Sequence, residues 1–150
     1  MRQVVTQGVS IGREAAISVV INGVLSLAFF LAVFGTAPHP LNWGAPDYLA
    51  LDFVPQSIAV ALMSALVPAL IARRKLNGRS VLRGILLRAA FFALAGALLG
   101  GLLAFSIGSV PFPSIGWHAA MFIKIAYGGA LGALVAGLAL RRLLASMPGK

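Results

Sequence analysis

Four long apolar runs constrain this chain more than any other feature of its sequence. They cover about residues 15–35, 49–72, 85–107 and 117–140. At about 1.5 Å rise per residue, each run is long enough to cross a hydrocarbon core of about 30 Å. Backbone amides cannot stay unpaired in lipid, so runs of this length must be helical. The sequence therefore predicts an all-α integral membrane protein, a single domain of residues 1–150 with four transmembrane helices in two hairpins.

Composition favours a membrane protein over a soluble one. The chain is 60% hydrophobic and 10% charged, which is more apolar surface than one soluble core of this size can bury. It has no cysteine, which excludes disulfides and thiolate metal sites. Arg2 and Arg13 precede the first run as in a secretory signal, but the run is longer than a signal core of about 7–15 residues. We therefore expect a retained helix.

The basic residues predict the orientation. With four spans, every lysine and arginine except Lys124 falls on one side. The positive-inside rule places that side, with both termini, in the cytoplasm of what we expect to be a bacterial inner membrane. Anionic phospholipid is the expected contact of the loop between spans two and three, and a nucleic-acid role is not expected because no aromatic residues interleave the charges. The headgroup-binding residues predicted here are Arg73, Arg74, Lys75, Arg79 and Arg83.

Rows of small residues predict helix contacts, since lipid gives helices no hydrophobic drive to associate and close backbone approach replaces it. Spans two, three and four carry such rows, so we expect these three to pack tightly. Two rows on the fourth span would let it contact a second protomer and form a homo-oligomer, although ordinary bundle packing explains the same rows. The packing residues predicted are Ala97, Gly101, Gly128, Gly132, Gly129 and Gly137.

Charged residues inside the apolar zone are costly unless they are paired or hydrated. Glu14, at the start of span one, lies at a depth similar to Arg88, and an ion pair between them is the structural interpretation. Lys124 lies about 10 Å below the outer end of span four and could either extend outward to the membrane interface or pair with Asp52 at the outer end of span two. The functional alternatives are a proton or cation site at Glu14 and an outward-facing gate or substrate site at Asp52 and Lys124.

A polar face is predicted on span one. Ser18, Asn22 and Ser26 recur every four residues and therefore line one side of the helix. Asn22, at mid-membrane, needs a polar partner or water. It is either the centre of a polar cavity or a hydrogen-bonding residue that ties two helices together.

The two halves of the chain resemble each other weakly. Prolines follow the first and third spans, at Pro38 and Pro40 and at Pro111 and Pro113, and a tryptophan follows each pair. Two hairpins related by an axis along the membrane normal would give this pattern. The alternative is that every membrane hairpin needs outer prolines, interfacial tryptophan and inner arginines.

No catalytic or cofactor site is predicted. His39 and His118 lie near the outer face with Asp47 and Asp52, but their spacing matches no metal or haem motif. No nucleophile with a base, no paired acids and no phosphate-binding loop occur, so we expect neither an enzyme nor a cofactor.

Two functions of different class remain. The first is an accessory or structural membrane protein that docks other membrane proteins or anionic lipid through Gly/Ala-rich faces. The second is a small homo-oligomeric transporter or channel whose pathway follows the polar residues named above. Few polar groups and no mid-membrane carboxylate in the spans favour the first.

Overall fold

The computed structural model describes residues 11–76 and 82–145, and their regular structure is four long helices. These helices are α1 (Ile11–Phe34), α2 (Phe53–Leu76), α3 (Leu82–Gly108) and α4 (Trp117–Ala145). Each is long and apolar enough to cross a membrane. The predicted all-helical class with four candidate spans is confirmed.

The second helix begins later than the sequence predicted. Residues 49–52 form a turn, and α2 starts at Phe53 rather than at 49. The Asp47 carboxylate accepts hydrogen bonds from the backbone and side-chain amides of Asn42, at 2.8 and 3.0 Å. Tyr48 has a φ of 53°, in the left-handed region that stops a helix from extending upstream. The second apolar run therefore includes four loop residues, 49–52, before the helix begins. Hydropathy alone does not distinguish these loop residues from the helix that follows.

The helices pack in the order α1, α4, α2, α3. The largest contacts join α2 to α3, α1 to α4, and α2 to α4, whereas α3 and α4 touch only slightly. The expectation that spans three and four pack tightly is therefore wrong, although α2 packs against both of them. The helices joined by the loops at the Trp117 end, α1 with α2 and α3 with α4, are not the main packing partners.

The α1–α2 loop and the α3–α4 loop contact each other at the Trp117 end of the bundle. Leu41 and Ile115 form an isolated antiparallel bridge, with backbone hydrogen bonds of 2.8 and 2.9 Å. Below it, a cluster of buried side chains includes Phe30 and Trp117, whose rings are 5.3 Å apart and nearly perpendicular. This cluster packs the end of α1 and the start of α4 against Leu41 and Leu49 of the loop that precedes α2.

The packing has the two-fold pattern that an internal repeat requires. Exchanging α1 with α3 and α2 with α4 leaves the three largest helix contacts unchanged. Leu41 and Ile115, which pair across the expected axis, have the same sequence separation as Trp43 and Trp117. This agreement favours a repeat over the alternative of common hairpin features. The matching contacts are Asn22 with Gly132 and Gly96 with Ala61, and Ser26 with Gly128 and Gly100 with Ser57. They relate α1 to α3 by 74 residues and α2 to α4 by 71 residues.

The outer surface of the bundle is strongly apolar. On α3, Leu94, Leu98, Leu102 and Phe105 are between 63% and 75% exposed. A continuous face of large exposed apolar side chains is costly in water and favourable in lipid. In contrast, several polar and charged side chains of the described residues are buried in the interior of the bundle.

Candidate functional site

Buried polar side chains line the interface of α1, α2 and α4, and we call them the buried polar stripe. At about 1.5 Å per residue, the stripe covers about 18 Å from Asp52, which directly precedes α2, to Ser64, more than half of a hydrocarbon core of about 30 Å. Its members are Ser18, Asn22, Ser26, Asp52, Gln56, Ser57, Ser64 and Lys124.

An ion pair forms the end of the stripe that lies towards the Trp117 end of the bundle. Lys124 Nζ lies 2.7 Å from Asp52 Oδ2, and the two side chains are 1% and 8% exposed. The ammonium also lies 4.0 Å from the centroid of the Phe53 ring, a cation–π contact that partly replaces lost hydration. Neither of the two paired atoms has a further hydrogen-bond partner among the described residues. The structure thus brings together the two residues that the sequence proposed to pair.

Gln56 connects all three helices of the stripe. Its amide nitrogen donates to Ser26 Oγ of α1 at 3.0 Å and to the backbone carbonyl of Lys124 in α4 at 2.8 Å. Sequence reasoning did not place Gln56 among the site residues. The available signal was its position four residues after Asp52. The Gln56 backbone amide donates to the Asp52 carbonyl at 3.4 Å, which aligns the two side chains on one side at the start of α2.

Asn22 joins α1 to α2 in the middle of the stripe. Its amide nitrogen contacts Ser64 Oγ of α2 at 3.0 Å and, within α1, the carbonyl and hydroxyl oxygens of Ser18 at 2.8 and 3.0 Å. The side chain is 3% exposed, and its Oδ1 atom has no partner in the described part of the chain. The bond to Ser64 agrees with the interpretation in which Asn22 ties two helices together.

Ser57 and Tyr127 make a further link between α2 and α4. The Ser57 hydroxyl donates to the Phe53 carbonyl at 2.5 Å and lies 2.5 Å from the Tyr127 hydroxyl. Because the single Ser57 proton is used within its own helix, the Tyr127 hydroxyl is the donor across the interface.

Glycines make room for these polar side chains. Gly128 and Gly132 of α4 lie directly against Ser26 and Asn22, and an added Cβ would collide with them. Gly129, another of the predicted packing residues, faces Val19 of α1. A Cβ added at Gly129 would lie 3.3 Å from Val19 Cγ1. Both glycine rows at this level of α4 therefore face α1 rather than a second protomer.

The predicted row on α3 is not the row that packs. A Cβ added at Gly100 would lie 2.7 Å from the Phe53 carbonyl oxygen, and one added at Gly96 would lie 2.6 Å from the Ser57 carbonyl oxygen. At Gly101, as at Gly137 of α4, no described atom lies within 4 Å of an added Cβ, and Ala97 is half-buried. The contact uses the neighbouring row because one residue rotates a side chain by about 100° around the helix.

The remaining predicted residues are divided between exposed and undescribed positions. Arg83 and Arg88 are exposed on α3. Arg88 belongs to α3 and Glu14 belongs to α1. In the packing order α1, α4, α2, α3 these are the first and the last helix, so the predicted ion pair would have to join the two helices that lie farthest apart. The side chains that lie outside the described part are Glu14, Arg73, Arg74, Lys75 and Arg79.

The outer histidines do not come together with acids into a metal site in the described ranges. His39 Nε2 lies 4.0 Å from Asp47 Oδ1, and the His39 side chain is 46% exposed. The His118 ring stacks edge-on against Trp117 at 5.1 Å. No group of three or more potential metal ligands occurs among residues 11–76 and 82–145.

Comparison with family models, with curated proteins and with solved structures gives no match. The fold and the site therefore define the class by themselves: this is a membrane protein with four transmembrane-capable helices and a polar interior that links three of them.

Proposed function

We propose that this protein is a non-transporting accessory or structural protein of the membrane, which docks anionic lipid and other membrane components. One observation carries the proposal: the buried polar stripe is used to join helices. Gln56, Asn22, Ser57 and the Asp52–Lys124 pair each make a contact from one helix to another. Such bonds contribute about 0.6 kcal/mol each in membranes, and up to about 1.7. Together they favour a rigid α1–α2–α4 core.

The proposed location is a bacterial inner membrane with both termini in the cytoplasm. The distribution of lysine and arginine supports this orientation, and the Leu41–Ile115 bridge supports placing the two outer loops on one side. The exposed apolar surface, together with Gly101 and Gly137, which are not used in packing within the bundle, supports association with itself or within a larger membrane complex.

Cysteine labelling tests the orientation. In this cysteine-free chain, Ser109→Cys should react with a membrane-impermeant thiol reagent in intact cells, because Ser109 is exposed beside an outer loop. Asn77→Cys, in the basic loop, should react only after the cells are permeabilised. The opposite labelling of the two positions would reverse the proposed topology.

A small-solute pathway is the second candidate, and a specific observation favours it. Asn22 Oδ1 and Gln56 Oε1 are buried acceptors without hydrogen-bond partners in the described part of the chain. Unpaired carbonyl oxygens at membrane depth are expensive, and they are the ligands that a cation or a water chain would use. This candidate predicts flux that depends on Asn22.

Asn22→Leu distinguishes the two candidates. Under the structural proposal it removes the bond to Ser64 and lowers the free energy of unfolding by about 1–2 kcal/mol, while permeability of reconstituted liposomes to ions and small solutes stays at the protein-free level. Val20→Leu, at a position 65% exposed to lipid, is the matched control and should change neither quantity. Solute flux through the wild type that Asn22→Leu abolishes would support the pathway instead.

A further inference from the structure

An apolar groove separates α3 from α4. Its volume is about 210 Å³, and residues of α2, α3 and α4 line it. The lining side chains are almost entirely apolar, with one exception at the end of the groove nearest the C-terminus of α4, where Arg142 lies 5.8 Å from the centroid of the Phe91 ring. Residues that define the groove are Ala61, Phe91, Gly96, Leu131, Val135 and Arg142.

The groove is a local failure of the two-fold pattern. On the matching side of the bundle, Asn22 of α1 donates to Ser64 of α2 and holds these helices together. Asn22 corresponds to Gly96, 74 residues later, and Ser64 corresponds to Val135, 71 residues later, the same separation that relates Ala61 to Gly132 in the matching contacts. Gly96 and Val135 both line the groove. A glycine and a valine cannot make the bond, so α3 and α4 stay apart where α1 and α2 meet.

The dimensions of the groove fit one lipid chain. Along α4 it extends from Leu131 to Arg142, about 16 Å at about 1.5 Å per residue. This length is about half of a hydrocarbon core of about 30 Å, and therefore about one leaflet.

The charge at the end of the groove selects the headgroup. Arg142 is exposed in the last turns of α4, where a guanidinium can reach the membrane interface along its aliphatic stem. A guanidinium binds phosphate oxygens with two parallel hydrogen bonds. A chain lying along Leu131 and Val135 would bring its phosphate to this level of the helix.

We propose that the α3–α4 groove binds an acyl chain of an anionic phospholipid of the inner leaflet, with its phosphate on Arg142. The inference rests on the proposed function in one respect, the cytoplasmic position of the basic end. It adds a defined site to what was a general attraction between basic residues and anionic headgroups.

Lipid titration of the delipidated full-length protein in detergent, followed by native mass spectrometry, tests the headgroup contact. Phosphatidylglycerol and phosphatidylcholine are the probes. Arg142→Gln should weaken phosphatidylglycerol binding about fivefold and leave phosphatidylcholine binding unchanged. Arg141→Gln, the adjacent exposed arginine outside the groove lining, should have a smaller effect. Equal effects of the two substitutions, or an equal preference of the wild type for both lipids, would overturn the proposal.

Filling the groove tests the chain contact separately. Ala95 lines the groove, whereas Ala90, also exposed on α3, does not. Ala95→Phe should reduce binding of phosphatidylglycerol, and Ala90→Phe should not, with helicity and thermal unfolding of both variants showing that they fold. Unchanged lipid binding in Ala95→Phe would contradict the site, as would a dimer that Ala95→Phe dissociates. Neither outcome alters cysteine labelling or liposome permeability, so failure of the site is distinct from failure of the proposed function.

Discussion

Lys124→Gln is expected to lower the free energy of unfolding by about 3–5 kcal/mol, because it leaves the Asp52 carboxylate buried without its counter-ion. The Asp52 side chain is 8% exposed, and the side chain of Lys124 is 1% exposed. Unfolding with a denaturing detergent in mixed micelles measures the loss. Asp52→Asn should have a comparable effect, since it leaves the ammonium with the Phe53 ring as its remaining close contact.

The double variant is the decisive control for the ion pair. Asp52→Asn with Lys124→Gln removes both charges and leaves two amides that can bond each other, so we expect it to cost less than either single substitution. Replacing a whole buried pair is often neutral, whereas removing one partner is not. Additive losses in the cycle would show that the two residues do not interact energetically.

Gly100→Ala is expected to destabilise the protein by about 1–3 kcal/mol, as overpacking of a close contact does. The added Cβ would lie 2.7 Å from the Phe53 carbonyl oxygen and 2.8 Å from Val54 Cα. Both atoms belong to the backbone of α2, so relief requires a shift of the whole helix.

Gly101→Ala is the matched control for this substitution. It lies on the same helix, one residue away, and no described atom lies within 4 Å of its added Cβ. It should be neutral or stabilise the helix by up to about 1 kcal/mol, because alanine has the higher helix propensity. Equal stability of the two variants would contradict the observed face of α3.

The number and approximate extent of the helices could be predicted from sequence because lipid allows few alternatives. A run of this length in hydrocarbon must satisfy its backbone as a helix. The start of α2 escaped prediction because the Asp47–Asn42 turn depends on specific hydrogen bonds. Hydropathy carries no information about those bonds.

The pairing of Asp52 with Lys124 was predictable from depth alone. Both lie near the outer ends of their spans, and few opposite charges are available there. The face of α3 that packs was not predictable, because α3 carries two parallel rows of small residues. Gly100 rather than Gly101 meets α2, where it allows close approach to Ser57. That choice depends on the partner helix, which a single sequence does not specify.

Order in the helix row was also beyond sequence reasoning. The predicted two hairpins suggest that consecutive helices are neighbours, but the largest contacts pair α1 with α4 and α2 with α3. The repeat offered the missing constraint, since two halves related by a two-fold axis can exchange partners in this way. Weak sequence similarity at a few prolines and tryptophans was not enough to show the repeat. The symmetric pattern of helix contacts provides the additional support.

The account depends on the interior polar residues joining helices rather than conducting solutes, and liposome permeability tests this most directly. Purified wild-type protein, reconstituted at known density, should leave the permeability to ions and small polar solutes equal to that of protein-free liposomes. Solute-selective, saturable flux in the wild type would contradict the account.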